Sequence, residues 1–269
     1  MTRFDRFLAL HRPGTPLLIP NPWDVGSARL LASLGFEALA TTSGGFAATL
    51  GRLDGSVSRD EAIAHSAAIV AATDLPVSAD LENGFADDPS SVAETVRLAL
   101  GAGLAGCSIE DSSGQTADAS IYDIGLAAER VAAAADAAHA GPDKLVLTAR
   151  SENYLHGRRD LADTIARLIA FQEAGADVLY APGVTDAGEV RSLVSSVDRP
   201  VNVLALPACP TVAELAEMGV ARISVGGAFA YAAFGAVVEA ARELREDGTY
   251  GFWSLAGAGG KAVRAAFAG

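Results

Sequence analysis

The 269-residue chain carries 33 Asp and Glu against 20 Lys and Arg, which gives a formal net charge of −13 at pH 7. This acidic balance argues against nucleic acid and against an anionic membrane surface as partners, because both need a basic face. It still allows a small anionic substrate, since a few local cations or one metal ion can dominate a pocket.

The two cysteines, Cys107 and Cys209, provide neither a disulfide framework nor paired metal ligands. The first residues contain no apolar signal core, and every long apolar run is interrupted by charge or glycine. We therefore expect a soluble protein of the cytoplasm.

The chain is predicted to form one domain over residues 1–269, built from eight strand–helix units after a short helix at 4–10. The predicted strands are mostly apolar, as parallel strands covered on both faces are. They span 17–20, 36–42, 76–80, 105–110, 145–150, 177–181, 200–205 and 221–225. The helices that follow them are predicted at 25–34, 59–72, 90–102, 124–140, 161–174, 186–195, 211–218 and 228–245.

Eight such units in this length favour a (β/α)8 TIM barrel over an open doubly wound sheet. The open sheet would need a Gly-x-Gly-x-x-Gly turn after its first strand, and Asn21-Pro22-Trp23-Asp24 does not match it. Two helix starts are marked, because Asp24 is a suitable N-cap and Ser58 with Glu61 forms a capping box.

The tail at about 246–269 contains Phe252 and Trp253 and predicts a short amphipathic helix beyond the eighth unit. It could pack on its own barrel or on a neighbouring subunit. We favour a contact within a homo-oligomer, because exposed aromatic patches usually mark contacts.

The stretch Ala79-Asp80-Leu81-Glu82-Asn83-Gly84-Phe85 ends the third predicted strand in two acids, an amide and a glycine. Asp80 and Glu82 are two residues apart, so their carboxylates point the same way on an extended chain. Mg²⁺, or Mn²⁺ in its place, would relieve their repulsion, because hard cations prefer oxygen ligands. A polar loop without a metal is the alternative interpretation.

Polar side chains gather at the predicted carboxyl ends of the strands, where TIM barrels hold their active residues. Acids dominate after strands two to four, and an arginine ends strand five. This layout suits a metal that holds an oxyanion and a guanidinium that holds a carboxylate. The residues at these ends are Asn21, Trp23, Asp24, Ser43, Gly44, Gly45, Asp54, Asp80, Glu82, Asn83, Glu110, Asp111, Arg150, Glu152, Pro182, Gly183, Asn202, Gly226 and Gly227.

Residues 15–245 resemble the isocitrate lyase and phosphoenolpyruvate mutase superfamily. The resemblance implies a (β/α)8 barrel that binds Mg²⁺ and forms dimers or tetramers in which the last helix is exchanged between subunits. It rests on the order and spacing of Pro20-Asn21-Pro22-Trp23-Asp24, Thr42-Ser43-Gly44, Ala79 to Phe85, Ile109-Glu110-Asp111, Thr148-Ala149-Arg150 and Gly175-Ala176-Asp177.

The resemblance also implies roles for the residues of the metal site. Asp80 would touch the metal directly, and Glu82, where the family more often has Asp, would hold a metal-bound water. Asp54 and Glu110 would be outer acids of that site and, together with Arg150, catalytic residues. An ordinary loop position for Asp54 and a plain ion pair for Arg150 are the alternatives.

The substrate is expected to be a small anionic oxo acid. Ser43, Gly44 and Gly45 resemble the family's donors to the substrate carboxylate, and Arg150 its guanidinium for the 2-oxo acid. Trp23 and Asn202, at the ends of strands one and seven, are further candidate substrate contacts.

The implied reaction forms or uses an enolate next to a metal-bound 2-oxo or 2-hydroxy acid. The loop at 112–122 departs from the family, because it lacks the Lys/Arg-Cys-Gly-His element of the lyases and the Lys-Thr-Asn run of the mutases. Its small polar residues suit a mobile lid. Cys107, within strand four, is expected to be a buried thiol and not a replacement for the lyase cysteine.

Three functions remain open. A carbon–carbon lyase or related hydrolase is the leading hypothesis, and phosphorus–carbon chemistry on a phosphonopyruvate-like compound is the second. A catalytically silent oxo-acid binding protein is the third.

His156 is a candidate substrate or acid–base residue, whereas His11, His65 and His139 are expected on helix surfaces.

Overall fold

Eight parallel strands form one sheet in a computed structural model, which describes residues 2–114 and 120–268. They carry mainly small and apolar residues and fall within the predicted segments. The strands are β1 (Leu17–Ile19), β2 (Leu39–Ala40), β3 (Val77–Asp80), β4 (Gly106–Glu110), β5 (Val146–Arg150), β6 (Val178–Tyr180), β7 (Val201–Leu204) and β8 (Arg222–Ser224).

Helices alternate with the strands. They are α1 (Arg3–Leu8), α2 (Val25–Ser33), α3 (Ser43–Thr49), α4 (Arg59–Ala71), α5 (Pro89–Gly101), α6 (Ile124–His139), α7 (Leu161–Glu173), α8 (Ala187–Ser195), α9 (Val212–Glu217), α10 (Ala228–Arg242) and α11 (Trp253–Phe267), with a π-helix at Glu243–Asp247. Both predicted helix starts are confirmed, because Asp24 caps α2 and Ser58 with Glu61 forms a capping box on α4.

The strand order β1-β8-β7-β6-β5-β4-β3-β2 brings β1 and β2 to the two ends of the sheet. The Ala40 amide donates to the Pro20 carbonyl at 3.1 Å and so links these two ends. Asn21 adds to the closure, because its amide donates to the Thr41 carbonyl and its oxygen accepts from the amides of Val225 and Gly226. The (β/α)8 barrel predicted from the sequence is confirmed.

Helix α1 closes the amino-terminal end of the barrel. Phe7 is fully buried there and packs with Leu17, Val146 and Val178, whose side chains face the barrel interior. Gly106 leaves room for the ring, since a Cβ at that position would lie 2.7 Å from Phe7 Cε1. This apolar base leaves the opposite end of the barrel for polar side chains.

The segment after β2 differs from the prediction, which placed a loop from residue 43 to residue 58. Helix α3 begins at Ser43, and the Thr42 side chain accepts a hydrogen bond from the Gly45 amide to cap it. This helix was not predicted from the sequence because it contains adjacent glycines, and glycine disfavours helix interiors.

The tail forms a longer helix than predicted, α11, which packs against α2 of the same chain. Its free side and that of α10 expose large apolar residues, including Tyr231, Val237, Trp253 and Leu255. Exchange of this helix between subunits stays a prediction.

Among the residues described, none of the helices is both long and apolar enough to cross a membrane.

The prediction of a surface position is wrong for His11, which is 6% exposed beneath the barrel. Its Nδ1 hydrogen-bonds with the Phe7 carbonyl at 3.0 Å, and its ring packs edge-on against the Phe7 ring. His65 is half-buried and stacks on Phe46, and half-buried His139 contacts Asp177 at 2.9 Å. His11 lies beyond the end of α1, and the alanine-rich patterns around His65 and His139 do not show which helix face is covered.

Burial lowers the pKa of His11 to about 3, with a further contribution from the charge of Arg222. An unfolded histidine takes up its proton near pH 6.5, so the unfolded state binds more protons between these values. Stability is therefore fully present above pH 6.5 and falls on acidification, by up to about 1.4 kcal/mol per pH unit. We predict that wild type loses stability more steeply than His11→Gln in urea unfolding between pH 6.5 and 4.5. Parallel curves would contradict this.

Candidate active site

A cavity of about 190 Å³ opens at the carboxyl ends of the strands, above the polar middle of the barrel. It is smaller than the roughly 300–1,000 Å³ of sites for drug-sized ligands, so it suits a small molecule. It is lined by Asn21, Ala40, Thr41, Thr42, Ser43, Asp54, Ser78, Ala79, Asp80, Ser108, Arg150, Leu155, Tyr180, Leu204, Arg222, Ser224, Gly226 and Gly227.

Arg150, the last residue of β5, joins three carboxylates in the wall of this cavity. Its Nε contacts Glu152 at 2.9 Å, its Nη1 contacts Asp80 at 3.0 Å and its Nη2 contacts Glu110 at 3.3 Å. Burial disfavours its charged form, but the three acids outweigh burial and raise the Arg150 pKa well above its ordinary value. The guanidinium is therefore a fixed positive charge that orients acids from β3, β4 and the loop after β5.

Asp80 ends β3 and has a partner at each oxygen. Oδ1 accepts from Arg150, and Oδ2 accepts from the Ser43 hydroxyl at 3.0 Å and from the Ser43 amide at 3.3 Å. The Asp80 amide donates to the Thr41 hydroxyl, which fixes the strand end. In this arrangement both Ser43 donors are directed at Asp80.

The loop after Asp80 is held in an uncommon conformation. Glu82 and Phe85 have φ values of 48° and 58°, and Gly84 has 76°. Residues other than glycine adopt positive φ only when the surroundings enforce it. The backbone at Glu82 therefore departs from the extended conformation assumed from the sequence, and Glu82 lines a cleft beside the cavity.

The buried side chain of Arg130, on α6, holds this loop in its conformation. Its guanidinium donates to the carbonyls of Asn83, Ala86, Asp87 and Glu110, and it is 1% exposed. The carbonyls belong to the loop after β3 and to the end of β4, so one side chain ties the two acidic segments together.

A second buried arginine supports the opposite side of the site. Arg167 of α7 contacts Asp111 Oδ2 at 3.1 Å and donates to the Tyr122 carbonyl. Asp111 Oδ1 accepts from the Glu152 amide at 2.7 Å. Glu152 is thereby placed against Arg150, and the end of β4 is linked to the loop after β5.

Acidic groups outnumber cations around the cavity. Burial, with repulsion from Asp80 and Asp54, raises the pKa of Glu82 to about 8. Burial also raises the pKa values of Glu110 and Glu152, and partial burial with the charge of Asp80 raises that of Asp54. Burial is the largest cause of each shift, and for Glu82 and Asp54 the charges of neighbouring carboxylates add to it.

The donor set fits a hard divalent cation, since it consists of carboxylate and hydroxyl oxygens in excess of positive charge. Within residues 2–114 and 120–268, no three His, Cys, Asp or Glu side chains are already arranged as a metal cage. The oxygens of Asp80 contact Arg150 and Ser43 in this arrangement. Mg²⁺ commonly uses one or two protein carboxylates and keeps several waters, so a full cage is not required.

The predicted site residues divide into two groups. Ser43, Asp54, Asp80 and Arg150 line the cavity together. The others lie behind it or beside it: Trp23, Gly44, Gly45, Glu82, Glu110 and Asn202. Glu110 reaches the site through Arg150.

Two predicted substrate donors have packing reasons for being glycine. A Cβ on Gly44 would lie 2.7 Å from the Tyr231 hydroxyl oxygen and 3.0 Å from Asp54 Oδ2. A Cβ on Gly45 would lie 2.6 Å from Thr42 Cγ2 and 3.1 Å from Trp23 Cβ. Their role as substrate donors stays a prediction, as do those of Trp23 and Asn202.

The loop at 112–122, which the sequence predicts to be a lid, is described only in part. Tyr122 donates to Asp87 at 2.5 Å and accepts from Asn83. Gln115 and Thr116 fall outside the described residues.

Cys107 is fully buried, as predicted, and burial raises its thiol pKa to about 12. His156 is half-buried after β5 and does not line the cavity.

Sequence reasoning missed three arginines, Arg130, Arg167 and Arg222. The first two lie in predicted helices, where an arginine is usually solvated. Arg222 offered a signal, since it is the second residue of the predicted strand at 221–225, and a charged residue in a buried parallel strand is rarely accidental.

The family follows from comparison with known proteins. The model of the phosphoenolpyruvate phosphomutase family matches residues 7–245, so the chain belongs to that family. This agrees with the superfamily resemblance found in the sequence motifs.

Three relatives illustrate its range. A Burkholderia cenocepacia J2315 protein, provisionally described as a lyase/mutase, has a crystal structure with 56% identity and a TM-score of 0.89, covering 93% of this chain and 90% of that one. The 2-methylisocitrate lyase of Escherichia coli K12 is 30% identical over 90% of this chain and 88% of its own. Phosphonopyruvate hydrolase, solved with oxalate and Mg²⁺, is 25% identical with a TM-score of 0.81, covering 92% and 88% of the two chains. The chain therefore belongs to an enzyme family that contains both lyases and hydrolases.

Arg130→Met is predicted to destabilise the protein by about 3 kcal/mol or more, because it leaves several buried carbonyls without a donor. Urea unfolding would measure the loss. Arg97→Met is the matched control on the exposed face of α5, where the arginine contacts only Glu94 among the described side chains, and little change is expected. Equal stability of the two variants would contradict the role given to Arg130.

Proposed function

We propose that this protein is a Mg²⁺-dependent enzyme that breaks a carbon–carbon bond in a small 2-oxo or 2-hydroxy acid. The observation that carries the proposal is one small cavity that combines Asp80, Asp54, Ser43 and Arg150 at the carboxyl ends of the barrel strands. Such a cavity offers oxygen ligands for a hard cation next to a fixed guanidinium.

Asp80 is the residue proposed to hold the metal directly, because it lies in the cavity wall with the other acids grouped around it. Asp54, Glu82 and Glu110 would hold metal-bound waters. When bound, Mg²⁺, or Mn²⁺, would stabilise negative charge that develops on the substrate's oxo or hydroxyl oxygen. Arg150 keeps Asp80 and Glu110 oriented and supplies positive charge in a site shielded from solvent.

The relatives support this substrate class. A lyase for 2-methylisocitrate and a hydrolase for phosphonopyruvate share the barrel, and the hydrolase holds oxalate with Mg²⁺. Lyase or hydrolase chemistry on a carbon–carbon bond is our first proposal. Phosphorus–carbon cleavage is the second, and the hydrolase relative favours it.

We also propose that the protein works as a homo-oligomer, a dimer or tetramer. The exposed apolar residues of α10 and α11 support this, because a surface of that kind is more often covered than solvated.

Asp80→Asn is predicted to abolish turnover, because the carboxylate placed to hold the metal is lost while the side-chain shape is kept. The test is an NMR screen of oxaloacetate, 2-methylisocitrate, 2,3-dimethylmalate and phosphonopyruvate with Mg²⁺ or with a chelator. We expect one compound to disappear in a Mg²⁺-dependent manner with wild type and not with the variant, and the products would identify the bond that breaks.

Asp136→Asn, an exposed acid on α6, is the matched control and should keep wild-type turnover. Turnover that survives in Asp80→Asn or in chelator would contradict the proposed metal site. Metal-dependent binding without turnover of any compound would favour the oxo-acid binding protein.

A further inference from the structure

Arg222 is the second guanidinium in the cavity wall, and it lies deeper than Arg150. It opens β8 with its backbone in register with Leu17 of β1 and Asn202 of β7. Its side chain crosses the barrel, because Nη1 contacts the Thr148 hydroxyl of β5 at 3.1 Å. The residue is 4% exposed.

The two arginines differ in their partners. All three nitrogens of Arg150 contact carboxylates. Arg222 has no carboxylate within 4.0 Å among the residues described, and its buried Nε has no hydrogen-bond partner there. A buried guanidinium without a counter-charge is costly, so a position of this kind is retained where an anion arrives to complete it.

The side chains that line the cavity around Arg222 are also polar. The Ser224 hydroxyl lines the cavity and accepts from the Asn202 amide at 3.0 Å, and Tyr180 lines the same cavity. The Ser78 and Ser108 side chains belong to the same wall. TIM-barrel interiors are usually filled with branched apolar residues, so this tier departs from the expected packing.

We propose that Arg222 binds a second carboxylate of the substrate at the floor of the cavity and thereby selects diacids over monoacids. The proposal rests on the oxo-acid function given above and adds the residue that determines the substrate class. One acidic end then lies near Asp80 and Arg150, and the other reaches Arg222, Ser224 and Tyr180. A single guanidinium with neighbouring hydroxyls matches one carboxylate.

The experiment compares two four-carbon 2-hydroxy acids that differ at one end. (S)-malate has a distal carboxylate where (S)-2-hydroxybutyrate has a methyl group. Isothermal titration calorimetry with Mg²⁺ would measure both dissociation constants for wild type, Arg222→Gln and Arg222→Lys. Arg191→Gln on the exposed face of α8 is the control.

Wild type is expected to bind malate about 10- to 100-fold more tightly, the range of a hydrogen bond to a charged group. Arg222→Gln should lose this preference and bind 2-hydroxybutyrate as wild type does. Arg222→Lys, which keeps the charge, should retain part of it, and Arg191→Gln should retain all of it. If Arg222→Gln does not fold, the wild-type preference and the partial loss in Arg222→Lys carry the test.

Equal wild-type affinity for both acids would overturn the role of Arg222 and leave the oxo-acid function standing. An equal loss of both affinities in Arg222→Gln, with an unchanged melting temperature, would also overturn it, since Arg222 would then act on the end that the two acids share and not on the distal carboxylate. Failure of wild type to bind either acid with Mg²⁺ would overturn this proposal together with the proposed function.

Discussion

The geometry of the site depends on the contacts of Arg150 with Asp80, Glu110 and Glu152. One guanidinium gathers acids from β3, β4 and the loop after β5, which would otherwise repel one another in a buried setting. Buried ion pairs contribute little net stability, because desolvation offsets their attraction. Their value here is positional, since each carboxylate is held by contact with Arg150, which lines the cavity.

Arg130 and Arg167 extend this principle outward. Each is buried beneath the site and fixes the backbone that carries an acid, Arg130 through carbonyls and Arg167 through Asp111. The strained loop at Glu82 and Phe85 is maintained by this support. Backbone of this kind persists where the surrounding structure enforces it, which is common at active sites.

The barrel could be predicted from the sequence because its signal is repetitive. Apolar strands recur eight times, several of the helices between them have caps such as Asp24, and each repeat supports the others. The cavity residues Asp80, Asp54, Ser43 and Arg150 were also accessible, since residues at the ends of parallel strands converge whatever the details of packing.

Features that depend on which helix face is covered could not be predicted. Arg130 lies on a helix whose pattern does not distinguish a buried polar group from a solvated one, and His11 follows the end of α1. Helix α3 is built on adjacent glycines whose small size is needed for packing against Tyr231 and Thr42, which no local propensity records. The backbone conformation of Glu82 has a positive φ that only the tertiary structure enforces.

The central claim is that the acids around Asp80 receive a divalent cation together with an oxo acid. A crystal structure of the protein grown with Mg²⁺ and oxalate tests this most directly. The account predicts a metal bound to the Asp80 carboxylate within the cavity and bridged to oxalate, with Asp80 rotated from its present contact with Arg150 or Ser43. A metal bound elsewhere, or an Asp80–Arg150 contact left unchanged beside an empty cavity, would contradict it.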